Sequence, residues 1–337
     1  MVTLKDVARA SGVSIKTVSR VVNGTAEVSA ETRQRVKGVI SDLGYQPNTM
    51  ARSLVNGRSN TVGVIIPHSV GYIFSHPFFN EVLRGIAEVL ANNNLNLLLH
   101  LAHQNTPYAQ LYNQRRVDGL IFMSVLTGDP NLDGVLESKS PCVFTCRIVE
   151  ENNPTHWVDA DFVGGLEQAV EHLISLGHRR MALLAGPRNL ISVLLRVKGY
   201  RQAVTRNGLT VDEDNIHYVD FSSEAGHDLA LQLMKKPNPP TAILCGDDMM
   251  AIGVIQGLQE AGRRVPQDVS VIGFDDISLA RFSTPPLTTI RQDTFRKGQI
   301  AAETLIRLMT KGIENSPFQQ ILSTQLIIRN TTALAPR

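Results

Sequence analysis

A chain of 337 residues is long enough for two or three domains of ordinary size with ample core. No apolar run approaches the roughly 18 residues that a membrane span needs, and the three cysteines, Cys142, Cys146 and Cys245, stand in no metal-ligand spacing. The net charge of +2 hides an asymmetry: residues 1–58 hold nine Lys and Arg against Asp6, Glu27, Glu31 and Asp42, a net of +5 that leaves −3 for the remainder. A small basic module on a mildly acidic body is expected to bring only its front end to a polyanion.

The first elements in chain order are helical. Leu4, Val7 and Ala8 fall on one face, and Thr3 with Asp6 forms a capping signal. Ser11-Gly12-Val13 interrupts the pattern for about one turn. Ser14 then caps a second helix in which Val18, Val21 and Val22 face inward and Ile15, Lys16, Thr17 and Arg20 face out. Two short helices around a glycine turn form a helix-turn-helix, whose second helix would enter the DNA major groove, although the residues also suit a plain αα-hairpin. In the groove, Lys16 or Arg20 suits guanine and Ile15 suits a thymine methyl. A third helix is expected from its cap Ser29, with Val36, Val39, Ile40 and Leu43 as its buried stripe and Gly44 as its stop. Pro47 excludes a helical conformation at Gln46. Residues 48–54 could form one more short helix, too short to stand alone, before the loose stretch 56–60.

From Thr61 onward, apolar runs of strand length alternate with amphipathic helical stretches. The strand candidates are Thr61–Pro67, Leu95–Ala102, Val117–Ser124, Cys142–Thr145, Met181–Ala185, Ile216–Phe221, Ala242–Cys245 and Val269–Phe274. Such alternation predicts parallel sheets covered on both faces by helices. Arg84-Gly85-Ile86 leading to Asn93-Asn94-Leu95 is echoed by Lys198-Gly199-Tyr200 leading to Asn207-Gly208-Leu209, which suggests two duplicated α/β lobes with a cleft between them. Ligands of open parallel sheets sit beyond the carboxyl ends of the strands. Those ends carry His68-Ser69, Ser124, Asp159, Asp161, Gly186-Pro187, Asp247-Asp248 and Asp275-Asp276. Carboxylates without accompanying lysines suit a neutral polyhydroxylated ligand, with Phe221, Phe78 and Phe79 as apolar walls, although both Phe78 and Phe79 also suit the core. Asp247 and Asp161 suit either a ligand contact or a structural role, and Asp248 reads as a helix cap.

Two other classes share this architecture. An α/β enzyme would need a nucleophile elbow or a phosphate loop, and neither G-x-S-x-G nor G-x-x-x-x-G-K-[ST] occurs. A non-regulatory sugar-binding protein would need a signal peptide where this chain has a basic helix-turn-helix. No His or Glu beside Asp247-Asp248 completes a metal site, so neither metal nor cofactor is expected. The cysteines read as reduced thiols of a cytoplasmic protein, with a Cys142–Cys146 pair as the alternative.

The residues T-L-K-D-V-A-R-A-S-G-V-S-I-K-T-V-S-R-V-V-N, V-S-A-E-T-R-Q-R-V and L-G-Y-Q-P-N-T-M-A-R-S-L resemble the headpiece and hinge of the LacI/GalR family of bacterial transcription regulators. The likeness continues through G-V-I-I-P, H-P-F-F, V-D-G-L-I-F, E-H-L-I-S-L-G-H, A-L-L-A-G-P, V-S-V-I-G-F-D-D and P-P-L-T-T-I-R-Q-D. It implies a headpiece over 1–47, a hinge helix and linker over 48–60, and a core over 61–337. The core would be a periplasmic-binding-protein-like pair of lobes, about 61–161 with 292–321 and 162–291 with 322–337, the chain crossing near Asp161, Ile290 and Leu322. It further implies a homodimeric repressor of sugar genes, on a pseudo-palindromic double-stranded operator, controlled by a sugar effector between the lobes. The DNA-binding residues implied are Thr3, Ser14, Ile15, Lys16, Thr17, Arg20 and Asn23, with Asn48, Ala51 and the minor-groove wedge Leu54 from the hinge. Arg196 and Asp275 align with the family's effector-binding arginine and aspartate, and Asp247, Asp161, Phe221 and Phe79 complete the expected set. Two departures stand out: the long stretch from His68 to His76, taken as a loop, and Cys146-Arg147 where many members have Asp-Arg. The long stretch, with T-H-W-V-D-A-D, resembles members that regulate maltose or α-glucoside uptake. With no leucine heptads after the last strand, a dimer and nothing larger is expected.

Overall fold

A computed structural model describes residues 2–22, 24, 28–46, 58–101, 107–138, 140–148, 155–312 and 316–336. The chain divides into two units, Met1–Ser59 and Asn60–Arg337.

The first unit holds α1 (Leu4–Ser11), α2 (Ile15–Val22) and α3 (Ala30–Asp42). Thr3 and Asp6 form a reciprocal capping box, and Gly12 ends α1 with φ 66°, a left-handed conformation that glycine adopts without a Cβ penalty. Ser29 caps α3 by accepting from the Thr32 amide. Val7, Ala8, Val18, Val21 and Val36 meet in a small core. Leu43, expected in the buried stripe, is exposed at the end of α3, and Tyr45 packs into that core instead.

The second unit is two six-stranded sheets built on one plan. In the first, β1 (Thr61–Ile66), β2 (Asn96–Leu101), β3 (Gly119–Phe122), β4 (Cys142–Phe144), β5 (Trp157–Ala160) and β11 (Gln319–Leu322) lie in the order β11-β5-β4-β3-β1-β2. In the second, β6 (Met181–Leu184), β7 (Ile216–His217), β8 (Ala242–Cys245), β9 (Ser270–Asp275), β10 (Thr288–Gln292) and β12 (Thr324–Ile327) lie in the order β12-β10-β9-β8-β6-β7. The pairings are parallel except that β12 runs antiparallel to β10. Strand β7 is only two residues long, much shorter than its apolar run.

The helices of this unit are α4 (Val70–Ser75), α5 (Pro77–Asn92), α6 (Ala109–Asn113), α7 (Asp133–Glu137), α8 (Phe162–Ser175), α9 (Ile191–Arg206), α10 (Ser223–Leu233), α11 (Asp248–Glu260) and α12 (Thr294–Lys311). The stretch read as a long loop before H-P-F-F is thus a helix, α4, capped by Ser69 accepting from the Tyr72 amide. The chain passes between the sheets three times. Strand β5 leads through Asp161 into α8, β10 leads through Asp293 into α12, and β11 leads through Ser323 into β12. Ile290 lies within β10 and Leu322 within β11. Among the described residues, no helix is long and apolar enough to cross a membrane.

Candidate functional site

The carboxyl ends of the two sheets border a cavity of about 60 Å3. From the first lobe it is lined by His68, Tyr72, His76 and Phe79, by Ser124 after β3, by Cys146 after β4 and by Asp159 of β5. The second lobe adds Arg196 of α9, Phe221, Asp247 before α11 and Asp275 at the end of β9, with Gln292 and Lys297 beside the second crossing. Leu126 and Leu190 form an antiparallel bridge across the cleft, supported by the Thr127 amide donating to the Asn189 carbonyl at 2.8 Å.

Arg196 is held flat, its guanidinium carbon 4.5 Å from the ring centroids of both Phe162 and Phe274. Arginine stacks on aromatic faces in this way because its planar charge is weakly hydrated. Its Nη2 lies 3.9 Å from Asp275 Oδ1, and its buried Nε has no protein partner. Asp275 takes φ 111°, a region that L-residues rarely adopt. Burial pushes its carboxyl up to about 6 against the opposing charge of Arg196.

A polar chain then runs from lobe to lobe. Gln292 Nε2 donates to Asp275 Oδ1 at 2.5 Å, and Lys297 Nζ donates to Gln292 Oε1 at 3.0 Å. The Lys297 ammonium, 1% exposed, is 3.6 Å from Asp159 Oδ1. Burial lowers the pKa of Lys297, opposed by the Asp159 carboxylate. Asp159 also accepts from the Arg147 backbone amide and Nε, both at 3.1 Å. Across the cleft, His76 Nε2 meets Asp247 Oδ2 at 2.8 Å.

The cavity brings together Arg196, Asp275, Asp247, Phe221 and Phe79. Asp161 is not among its lining residues. Asp161 Oδ1 accepts from the Gly164 amide at 2.9 Å and caps α8, so the carboxylate two residues back, Asp159, lines the cavity instead. The cap of α11 is Asp247, whose Oδ1 accepts from the Met250 amide at 2.7 Å, and not Asp248. Asp248 is buried among the strand ends, accepting from the Ile277 amide and the Thr289 hydroxyl. Burial first, then the charge of Asp275, pushes Asp248 well above the usual carboxylate range. Asp276 pairs with Arg291 and Arg329. The expected lysine-free carboxylate cluster is corrected by Lys297, whose place on the apolar side of an amphipathic helix hid it. Arg147, after the departure at Cys146, is engaged by Asp159. The three cysteines are free, and burial pushes the thiols of Cys142 and Cys146 up to about 12.

Of His68, Tyr72 and His76 on this wall, the sequence pointed to His68, at a strand end, but not to Tyr72 and His76, because a stretch read as a loop hides a periodicity of four. Asp159 was expected at a strand end, whereas Gln292 stands within a strand segment too short and polar to be read as one.

In the headpiece, Ser14 Oγ accepts from the Thr17 amide at 3.1 Å and bonds the Thr17 hydroxyl at 2.9 Å. Ile15 is 45% exposed, Lys16 is exposed, and Thr17 and Arg20 are half-buried. The Thr3 hydroxyl and amide are committed to Asp6. Asn23, Asn48, Ala51 and Leu54 lie outside the described residues.

Residues 3–48 match the family described as bacterial regulatory proteins, lacI family, and residues 170–332 match the periplasmic binding protein-like domain. The chain is 33% identical over 335 residues to the HTH-type transcriptional regulator CelR of Thermobifida fusca, an alignment covering 98% of each chain. It is 36% identical over 325 residues to the catabolite control protein A of Priestia megaterium, covering 95% of this chain and 96% of that one. Among solved structures, the lac repressor dimer bound to operator and the anti-inducer ONPF matches with a TM-score of 0.86 and 31% identity, covering 98% of this chain and 99% of that one. A CelR–cellobiose complex matches with a TM-score of 0.75 and 32% identity, covering 98% of this chain and 100% of that one. Headpiece and core are thus accounted for by the same regulators along almost the whole sequence, and the protein belongs to the lacI family of bacterial regulatory proteins, DNA-binding regulators of transcription.

Proposed function

We propose that this regulator is a cytoplasmic homodimer that represses genes of sugar uptake or breakdown from a pseudo-palindromic operator, under the control of a saccharide held between its lobes. The observation that carries this reading is the chemistry of the cavity. Carboxylates of Asp275 and Asp247 can accept from hydroxyls, the unpartnered Nε–H of Arg196 can donate back, and Phe221 offers a ring for an apolar sugar face. The pocket's own charges face each other, Arg196 toward Asp275 and Lys297 toward Asp159, so a neutral ligand needs no further counter-charge. Among similar proteins, CelR has been solved as a complex with cellobiose and a LacI family regulator from Enterococcus faecium with bound ribose. Among saccharides, we favour a maltose-type α-glucoside on the strength of the extended stretch His68–His76.

On this reading, residues 1–47 bind DNA, with Thr3, Ser14, Ile15, Lys16, Thr17, Arg20 and Asn23 at the duplex. Residues 48–60 fold on the operator, Asn48 and Ala51 beside it and Leu54 wedged into the minor groove. The core is two lobes, and the effector acts by shifting their arrangement. A thermal-shift panel of mono- and disaccharides tests the proposal, because a ligand that binds only the folded state raises its melting temperature. A rise with nucleosides or amino acids, and none with any saccharide, would overturn it.

A further inference from the structure

The turn of chain that separates β1 from α5 builds an aromatic ladder along one wall of the cavity. His68, Tyr72 and His76 follow one another at intervals of four residues, with ring centroids 5.3 Å apart at each step. The last rung reaches the opposite lobe. His76 Nε2 lies 2.8 Å from Asp247 Oδ2, with only 6% and 3% of the two side chains exposed. Asp247 is fixed in turn, because its other oxygen caps α11. A carboxylate can only accept, so the proton of this bond sits on Nε2. The other ring nitrogen, Nδ1, is buried without a hydrogen-bond partner on a residue that lines the cavity. A buried polar atom without a partner is uncommon in a folded protein and calls for an explanation.

We infer that His76 is a specificity-determining residue of this pocket: through Nε2–H it clamps one lobe to the other at Asp247, and it offers Nδ1 to a polar group of the effector. The second half rests on the effector reading above, whereas the clamp belongs to the free protein. Every charged group around the ring matters to its behaviour. Asp247 faces it from the head of α11, Asp275 from the end of β9 and Arg196 from α9, while α5 contributes the uncharged Phe78 and Phe79. Burial alone lowers the imidazole pKa, but the bond to Asp247 and the charges of Asp247 and Asp275 raise it over the opposition of Arg196. His68, lowered by burial, and Tyr72, raised by burial, are both neutral at pH 7.

The sign follows from linkage. The clamped state holds the His76 proton more tightly than an open state does, so the clamp is complete below the ordinary imidazole value of about 6.5. As pH rises through the raised value the ring loses its charge and the proton on Nδ1, while the neutral Nε2–H still donates to Asp247, so the clamp weakens without being lost. Asp275, pushed up to about 6, loses its charge on the acid side, so ligand affinity is expected to be greatest just above pH 6.

Histidine ring resonances of the full-length, ligand-free protein test the clamp, the His76 signal being assigned by its loss in His76→Gln. The ring is expected to titrate above 6.5 and to fall to 6.5 or below in Asp247→Asn, which keeps a helix-capping side chain. A wild-type value at or below 6.5, or one unmoved by Asp247→Asn, overturns the clamp. Maltose, cellobiose and ribose, each added at pH 6.5 and 8.5, test recognition through the melting temperature. A sugar that stabilises the wild type should do so less at pH 8.5, and His76→Gln should lose that difference. The same pH dependence in the variant removes His76 from recognition. If none of the three sugars acts on the wild type, the recognition half falls with the sugar reading, while the ring titration still decides the clamp.

Discussion

Asp275 joins a strained backbone, a buried charge and the cavity wall in one residue. Because its carboxyl is raised from 3.8 to about 6 by burial, the folded chain holds that proton more tightly than the unfolded chain does. The associated stability is fully present below about 3.8 and is lost as pH rises toward 6, a loss on the order of 3 kcal/mol. Asp275→Asn, always neutral, should therefore melt above the wild type at pH 7 without ligand, and the gap should close toward pH 4. A variant that melts lower at pH 7 would show that the carboxylate holds the turn together. The same substitution, and Arg196→Ala, should leave operator binding intact while effector affinity drops about tenfold or more, as expected for losing a hydrogen bond to a charged group. Titration of the operator complex with effector checks this. On the DNA side, Arg20→Ala should weaken operator binding by roughly 1–3 kcal/mol and random DNA much less. Equal losses on both duplexes would mark Arg20 as a phosphate contact. Of the five residues gathered at the cavity, Asp247, Asp275 and Phe221 were legible because they stand at or just beyond the ends of readable strands. Phe79 was read as an apolar wall from the H-P-F-F stretch, and Arg196, inside α9, came only from the family resemblance. Of the two roles open to Asp161 the structural one holds, because the strand stops at Ala160 and leaves Asp161 as a cap. Lys297 and Gln292 carried no signal, since a buried lysine on an amphipathic helix reads as a solvated one.

The helices explain the internal echo. Gly85 on α5 and Gly199 on α9 each sit where two helices touch through their backbones. An added Cβ would lie 2.1 Å from the Phe295 carbonyl of α12 in one case and 2.5 Å from the Val163 carbonyl of α8 in the other. Each of these partner helices is the one that follows a crossing between the lobes, so the repeat seen in the sequence marks the same joint twice. Gly85→Ala should cost about 1–3 kcal/mol, because backbone cannot yield as a side-chain tip does. A shift of the urea midpoint at constant slope would measure it, and an unchanged midpoint would mean that α12 moves freely. Elements rich in apolar residues were legible. Strands β10 (T-T-I-R-Q), β11 (Q-Q-I-L) and β12 (T-Q-L-I) were not, being short, polar and placed at or beside the sheet edges. Helix α4 was also missed, because six residues between a histidine and a proline carry too little periodicity to separate a helix from a loop.

At the scale of the whole molecule, a basic front on an acidic body should give operator affinity that falls steeply with salt, with effector affinity far less sensitive. If the effector alters operator affinity by some factor, operator must alter effector affinity by the same factor, and calorimetry on both arms of the cycle can check that equality. The three crossings add a mechanical constraint. They run along one edge of each sheet, where β11 and β5 lie side by side and β12 and β10 do the same. Two of them bend at aspartates with nearly equal backbone angles, φ −78° and ψ 79° at Asp161, φ −80° and ψ 78° at Asp293. Three ties set side by side are expected to act as a piano hinge, free to swing about their line and stiff against sliding or twist. A cleft so tied would open and close chiefly along one swing. Ligands of different bulk would stop the same swing at different apertures, so that an agonist and an antagonist of this regulator differ in angle and share a single path.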